Sequence, residues 1–387
     1  MTDKKMKFNS DGKFVIMQVS DAQDLQFVRH TMVRMLNKAY DRIWPDLVVF
    51  TGDNILGNHL RDARFGSKIV VHTKAEELER MKTAIGHICD PLEKRGIPFT
   101  MIYGNHDDRN EITKDEQADI YRSYSMCIGL DNPDKSVDVD TFDLPVYSND
   151  GAKKLFNLWM IDSAWYDKEE DRCYEAVKKE TVDWYVKRSE ALKAENDGKI
   201  IPSLMFQHIP MPESMSLLTN CDKNDPDAVP FFRKGEKERY IKLDPQKADG
   251  FLGEPITPCE ENFGQLEALK RQGDVKAVVY GHDHTNNFIG EHDGIKIIQS
   301  SAASFRCYGN RLRGVRIFEL NENCPEEFNT YFLTYDDLCG TSLPSRIAYI
   351  WDADGCGKQK AAMIAGAAFG VALSGALVHY LRRRKNG

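Results

Sequence analysis

The sequence predicts an α/β fold with a second, partly antiparallel sheet, and three observations support this prediction. Apolar, β-branched runs of strand length recur along the chain, and each ends in a cluster of polar residues. Amphipathic patterns of helical length separate most of these runs, which is typical of an α/β architecture. Three later strand-like runs follow one another with no helical pattern between them, which indicates an antiparallel part.

The first group of strands is expected to be buried on both faces, because its apolar runs are nearly continuous rather than alternating. With their polar ends, these runs are 13–24, 45–54, 97–108, 154–163, 201–210 and 275–284. The helical patterns are 28–43, 75–96, 178–195 and 263–273. The later strands are 295–301, 313–320 and 329–336.

The composition excludes some classes of function. Hydrophobic residues make up 41% and charged residues 29% of the 387 residues, which is typical of a globular protein and argues against disorder. The net charge of −8 argues against a nucleic-acid partner. Because the chain is negative, an anionic substrate would need local positive charge, which bound metal ions could supply. The nine cysteines are scattered without a CxxC pair, which predicts reduced thiols in the cytoplasm.

The C-terminal region departs from the soluble pattern. Residues 361–381 carry no charge and are followed at once by a basic tail, 382–387. A membrane-spanning helix needs about 20 such residues, so this segment predicts a membrane anchor. An Ala-rich soluble helix is the alternative, since Ala and Gly contribute little to insertion. We therefore expect a domain over 1–345, a linker over 346–360 and a membrane-associated protein whose catalytic domain is cytoplasmic, with a soluble cytoplasmic protein as the alternative.

The polar clusters at the strand ends are the candidate functional residues. In α/β sheets, sites form outside the carboxyl ends of the strands, so clusters far apart in sequence are expected to converge. Long polar segments, 55–74, 108–150 and 211–262, are expected to form the rim of the site. The clusters contain Asp21, Gln23, Asp53, Asn54, Asn105, His106, Asp107, His208, His282, Asp283 and His284.

This inventory is rich in oxygen and imidazole ligands and contains no cysteine, which suits divalent ions such as Mn, Fe, Zn, Ni or Co. It offers too many ligands for one ion, and two ions about 3.5–4 Å apart that share a carboxylate would use them all. Histidines without such a context are interpreted as structural or surface residues. They are His30, His59, His72, His87, His292 and His379.

The ordered clusters resemble the signature of the calcineurin-like metallophosphoesterase superfamily, which runs D-x-H, G-D, G-N-H-D/E, H and G-H-x-H. The strings QHIPMPE and GHDHTNNF also resemble its purple-acid-phosphatase-like branch. The resemblance spans about residues 13–340. It implies a four-layer α/β/β/α sandwich, in which two mixed sheets lie face to face with helices outside each.

The resemblance also implies a role for each matched residue. Asp53 would bridge two divalent metal ions, Asp21 and His284 would complete one site, and Asn105, His208 and His282 would complete the other. His106 would donate a proton to the leaving alkoxide or hydrogen-bond the phosphate. Asp107 would orient and polarise that imidazole.

The sequence departs from the family pattern at two positions. Gln23 stands where the family has a histidine, and its amide oxygen is a poorer ligand for zinc or iron than an imidazole. The first metal site would then be weaker, prefer a harder metal or recruit Asp24, or Gln23 would only hydrogen-bond a metal-bound water. Leu56 replaces the tyrosine ligand of purple acid phosphatases, so the protein is expected to be colourless.

Together these features predict a dinuclear metal-dependent phosphohydrolase that attacks a phosphomonoester or phosphodiester with a metal-activated hydroxide. Its substrate would be a phosphorylated small molecule, lipid or protein. The alternative is a degenerate member of the superfamily that binds phosphorylated ligands at a membrane without hydrolysing them, and Gln23 is its support.

Overall fold

Two large β-sheets form the centre of the molecule. The computed structural model describes residues 5–61, 73–107, 109–163, 174–232, 237–259 and 261–364. Within these ranges, the first sheet has five strands in the order β15 (Phe328–Thr334), β14 (Gly314–Asn321), β1 (Lys13–Val19), β2 (Leu47–Thr51) and β3 (Phe99–Ile102). Strands β1, β2 and β3 are parallel, so their carboxyl ends lie at one edge of the sheet.

The second sheet is larger and mixed. In the described part of the chain its order is β10 (Ala248–Phe251), β12 (Asn287–His292), β13 (Ile295–Gln299), β11 (Val275–Tyr280), β6 (Ser203–Phe206), β5 (Lys154–Met160) and β4 (Phe142–Tyr147). The central strands β5, β6, β11 and β13 are parallel, whereas β4, β10 and β12 pair antiparallel to their neighbours. The predicted mixture of parallel and antiparallel strands is therefore confirmed.

The two sheets pack face to face, and helices cover their outer faces. The rings of Phe206 on β6 and Phe318 on β14 meet edge to face, with centroids 5.9 Å apart. On the outer side of the second sheet, Trp159 packs against Trp184 and Tyr185. The helices are α1 (His30–Ile43), α2 (Lys74–Arg95), α3 (Lys114–Arg122), α4 (Lys179–Glu195), α5 (Gln265–Gln272), α6 (Tyr335–Cys339) and α7 (Leu343–Asp352). This arrangement confirms the predicted α/β/β/α sandwich.

The predicted helices and strands match the observed elements, but the rim segments contain more structure than expected. Residues 108–150 include α3 and β4, and residues 211–262 include β10 and a small antiparallel sheet of β7 (Leu218–Cys221), β9 (Arg239–Leu243) and β8 (Val229–Phe231). The strands of the small sheet have only three to five residues and mixed burial, so they lack the apolar runs that mark a strand in a sequence.

Helix α7 (Leu343–Asp352) overlaps the first part of residues 346–360, where a linker was expected, and it packs on the domain. Its Tyr349 ring contacts the rings of Phe305 and Tyr335, with centroids 5.2 Å away in each case. The Tyr349 hydroxyl donates to the Asn310 carbonyl at 2.7 Å and accepts from Arg313 at 2.9 Å. These contacts extend the folded domain beyond residue 345.

Most of the candidate membrane segment lies outside the described residues. Residues 357–364 are helical, and residues 365–387 are not described. Across the described ranges, no helix combines the length and the apolar character that crossing a bilayer requires.

The packing of α7 gives a test of the domain boundary. Replacing Tyr349 by Ala removes a packed ring and two hydrogen bonds, so we expect the free energy of unfolding to fall by about 2–3 kcal/mol. Trp351→Ala is the matched control, because Trp351 lies on the same helix and is 57% exposed. Chemical denaturation of both variants measures the difference. Equal stability of the two variants would contradict the packing of α7 on the domain.

Candidate metal centre

Each of the two sheets supplies three candidate ligands at the carboxyl ends of its strands. Asp21, Asp53 and Asn105 follow β1, β2 and β3 of the first sheet. His208 follows β6, and His282 and His284 follow β11, both in the second sheet. All six side chains are buried, although the chain segments that carry them are up to about 260 residues apart.

The first group of ligands contains two carboxylates and one imidazole. Ligand atoms of Asp21, Asp53 and His284 all lie within 4.8 Å of one another. The Nε2 atom of His284 is 3.6 Å from Oδ1 of Asp21. Such a set offers oxygen and nitrogen ligands to one divalent ion.

The second group surrounds Asn105. Its Oδ1 atom lies 3.0 Å from Nε2 of His208 and 3.0 Å from Nδ1 of His282. The same Nε2 atom of His208 is 3.6 Å from Oδ1 of Asp53. Asp53 therefore contributes to both groups, which is the position expected of a carboxylate that two ions share.

The hydrogen bonds of two histidines show which ring nitrogen is available as a ligand. The Nδ1–H groups of His208 and His284 donate to the carbonyls of Thr51 and Tyr308, each at 2.9 Å. A carbonyl only accepts, so Nε2 is the unprotonated nitrogen of each neutral ring. Burial lowers the pKa of His208 and lowers the pKa of His284 to about 4, which keeps both rings neutral near pH 7.

Lone pairs consequently face one another across the site. Nε2 of His208 points at Oδ1 of Asn105 and at a carboxylate oxygen of Asp53, and none of these atoms carries a hydrogen. A divalent cation between them would satisfy all of these acceptors at once. The backbone carbonyls that bind the Nδ1–H groups are the usual outer partners of metal-binding histidines. The residues therefore fit a metal centre.

The electrostatics of Asp21 point to the same conclusion. Burial, together with the nearby negative charge of Asp53 and against the opposing effect of His208, raises the pKa of Asp21 to about 7. The carboxylate is held by the Ser20 hydroxyl and by the His282 amide, whose nitrogen is 3.1 and 3.2 Å from the two oxygens. A bound cation would favour the ionised carboxylate, because opposite charge lowers the pKa of an acid.

Several candidate ligands adopt an uncommon backbone conformation. The φ angles of Asp21, Gln23, Asp53 and His282 are 48°, 35°, 48° and 76°. These values lie in the left-handed region, which residues with a Cβ rarely adopt. Hydrogen bonds from neighbouring loops hold these turns, including Ser304 N–H to the Asp21 carbonyl at 2.9 Å. Such strain commonly accompanies functional sites.

Close packing at the strand ends explains the glycine before Asn105. A Cβ on Gly104 would lie 2.1 Å from the backbone nitrogen of Asp53 and 2.2 Å from its Oδ1 atom. Only glycine allows the loops after β2 and β3 to approach this closely. The glycine of the Gly-Asn-His-Asp motif therefore sets the position of two candidate ligands.

Gln23 lies in the site, and its two amide atoms have different surroundings. Its Nε2 group donates to Oδ2 of Asp53 at 3.1 Å, whereas its Oε1 atom is buried without a hydrogen-bond partner in the described structure. That oxygen is available to an ion. Asp24 is occupied instead, because its carboxylate binds the Arg306 guanidinium and the backbone amides of Leu25 and Arg29. The structure therefore favours Gln23 over Asp24 as the additional ligand.

His106 and Asp107 differ from the predicted pair. The Nδ1 atom of His106 lies 3.4 Å from Oδ1 of Asn58. The carboxylate of Asp107 accepts the backbone N–H groups of Ile55 and Gly104 at 3.0 and 2.7 Å. This geometry gives Asp107 a role in holding the loops, and it gives Asn58, which sequence reasoning missed, the contact with the imidazole.

A cavity of about 490 Å³ opens onto the ligands, and its lining includes further residues that the sequence did not single out. His59 was interpreted as a surface residue but lies in this wall, and Leu56 lies there at the position where purple acid phosphatases carry a tyrosine ligand. Tyr174 and Tyr308 contact the rings of His282 and His284, respectively. Asn58 and His59 lie in one short 3₁₀ turn, Gly57–His59, and Tyr174 and Tyr308 lie outside the helices and strands named above, so no hydrophobic period marks any of these positions.

The chain is similar to several known proteins. Probable inactive purple acid phosphatase 14 of Arabidopsis thaliana is 25% identical over 82% of this chain and 77% of its own length. Probable inactive purple acid phosphatase 29 of the same plant is 25% identical over 82% of this chain and 80% of its own length. A dimetal phosphatase from Danio rerio of known structure is 12% identical, covers 83% of this chain and 99% of its own, and has a TM-score of 0.44.

The family model for calcineurin-like phosphoesterases matches residues 14–286, which include all the candidate ligands. The matched region is more than half of the chain and begins at β1. The resemblance found in the sequence is thereby confirmed, and the relatives carry purple-acid-phosphatase names. The chain belongs to the calcineurin-like phosphoesterase family.

Proposed function

We propose that this protein hydrolyses phosphoesters with two divalent metal ions bound between its sheets. The observation that carries the proposal is the convergence of candidate ligand atoms on two neighbouring positions. One position lies among Asp21, Asp53 and His284, and the other lies beside Asn105, where two imidazole nitrogens approach one amide oxygen at 3.0 Å. Family membership supports the reaction class.

The ligands divide between the two positions as follows. Asp21, Gln23 and His284 would hold one ion, Asn105, His208 and His282 would hold the other, and Asp53 would be shared. When bound, such ions neutralise charge on phosphoryl oxygens and lower the pKa of water, so that hydroxide is available near neutral pH. The oxygen of Gln23 in place of an imidazole favours a harder cation, such as manganese, at the first position.

His106 would contact the substrate and would not be a metal ligand. Burial, with a smaller contribution from the Arg109 charge, lowers the pKa of His106 to about 3, so the free ring is neutral near pH 7. Its contact with the Asn58 amide oxygen orients the ring beside the cavity. An anionic phosphate next to the ring raises its pKa, and the protonated ring then gives its proton to the departing alkoxide.

A second candidate function is binding without hydrolysis. The relatives from Arabidopsis thaliana are named as probably inactive, and Gln23 replaces a ligand of the family pattern. A protein of this kind would hold a phosphorylated ligand in the same cavity. The number of bound metal ions and the turnover of simple substrates separate the two functions.

The family implies a phosphorylated substrate, and we propose three classes for the rest of that molecule. Phosphorylated small molecules, lipids and proteins all present the phosphoester that the site requires. Membrane attachment through residues 361–381 and a cytoplasmic location of the catalytic domain also stay predictions from the sequence.

The first prediction concerns activity. With Mn, Ni, Zn or Fe added, we expect the protein to hydrolyse an aryl phosphate or an aryl phosphodiester. Asn105→Ala and His106→Ala should each lower kcat/KM by on the order of 100-fold or more, because each removes a group at the reacting centre. His30→Ala, an exposed histidine at the start of α1, is the matched control and should keep full activity.

The rates are measured by the release of the aryl alcohol from folded protein, with folding checked by circular dichroism. Folded wild-type protein without turnover in any of these metals would exclude the hydrolase and favour the binding protein.

The second prediction concerns metal content. We expect about two divalent ions per chain by elemental analysis after dialysis against manganese. Asp53→Asn should lower the content to about one or none, because the shared carboxylate loses its charge. Asp46→Asn is the control, because the Asp46 carboxylate accepts a hydrogen bond from the backbone amide of Val15 and is not a candidate ligand. A content of one ion or none in the wild type would contradict the shared-carboxylate arrangement.

The third prediction concerns Gln23. Gln23→His restores the imidazole of the family pattern, so we expect zinc affinity to rise by about tenfold or more relative to manganese affinity. Competition titrations with both metals measure this ratio. An unchanged ratio would show that Gln23 lies beside the ion without binding it.

A further inference from the structure

We propose that the ring of Tyr308 forms a leaving-group subsite that selects phosphoesters of planar, aromatic alcohols. Such alcohols include phenols and alcohols that carry a flat heterocycle. The inference rests on the proposed function, because it assumes that the phosphoryl group binds at the metal centre. The inference adds the chemical class of the alcohol that is esterified to the phosphoryl group.

The Tyr308 ring is held in one orientation by contacts on two sides. It stacks on the imidazole of His284 with a centroid separation of 4.3 Å and an angle of 9° between the planes. Its hydroxyl donates to Oε2 of Glu254 at 2.9 Å. Oε1 of Glu254 in turn accepts the backbone and hydroxyl groups of Thr285, at 2.8 and 3.0 Å, which fixes the carboxylate.

The Tyr308 ring also lines the cavity. One face of Tyr308 is covered by His284, yet the residue is 49% exposed and lies in the wall of the cavity that contains the metal ligands. The exposed surface is therefore an aromatic wall next to a candidate ligand. The stack on His284 places the Tyr308 ring beside a candidate ligand, and both residues line the same cavity, so a ring attached to a phosphoryl group in that cavity has an aromatic surface next to it.

The size of the cavity also fits this assignment. A volume of about 490 Å³ lies within the range of pockets for small organic ligands and exceeds the needs of a phosphate ion alone. Because the ring is already fixed, stacking of a substrate on it costs little conformational entropy. Aromatic stacking of this kind changes affinity by about tenfold.

The test compares the binding of phenylphosphonate and methylphosphonate, which share a phosphoryl group and differ in the ring. Calorimetric titration of the manganese-loaded protein is expected to give about tenfold tighter binding of phenylphosphonate. Tyr308→Leu should remove most of this preference and leave methylphosphonate affinity within about twofold. Tyr308→Phe, which keeps the ring, should retain the preference.

Two controls separate the subsite from effects on the metal centre. Phe263→Leu removes an aromatic ring of similar exposure, 47%, outside the cavity and should change neither affinity. Manganese affinity of Tyr308→Leu should match the wild type, because the carbonyl that binds Nδ1 of His284 belongs to the backbone.

If the wild type binds both phosphonates equally, or if Tyr308→Leu weakens both equally, the subsite is excluded while the proposed function stands. If the wild type binds neither phosphonate, both proposals are excluded.

Discussion

The site depends on an arrangement that is unfavourable for the protein alone. Two buried carboxylates, Asp21 and Asp53, lie beside imidazole nitrogens and an amide oxygen that carry no hydrogen. Removing such groups from water and directing their lone pairs at one another costs free energy, and the raised pKa of Asp21 reflects that cost. The surrounding fold keeps the groups together through backbone hydrogen bonds and left-handed turns. Positive charge placed among them turns the same arrangement into a favourable one, which is why the geometry indicates cation binding.

The candidate ligands could be identified from the sequence because they obey a simple rule. Each follows a buried parallel strand, and the carboxyl ends of such strands meet at one edge. The apolar runs before Asp53 and Asn105, for example, indicate that each residue follows a strand, and the structure shows that these strands, β2 and β3, are neighbours. The left-handed conformations of Asp21 and His282 could not be anticipated, because the tertiary contacts that hold them are not local.

Residues that support the ligands were harder to find. The family resemblance implied that Asp107 orients the His106 ring, whereas the Asp107 carboxylate accepts the backbone amides of Ile55 and Gly104. Asn58 and Tyr308 belong to segments without periodicity, so their places in the wall depend on loop geometry. Helix α7 was also missed. Several of its apolar residues are exposed, so the side of the helix that carries Tyr349 does not stand out in the sequence. In general, the positions of the strand ends could be predicted from the sequence, whereas the loop conformations could not.

The division of ligands between the sheets has a mechanical consequence. Asp21, Asp53 and Asn105 belong to one sheet, and His208, His282 and His284 belong to the other, so any ion bound among them is a cross-link between the two halves of the sandwich. Sliding or separation of the halves would stretch coordination bonds before it exposed the apolar interior. Loss of the ions would then remove this link and weaken the contact between the two sheets at the edge that carries the candidate ligands.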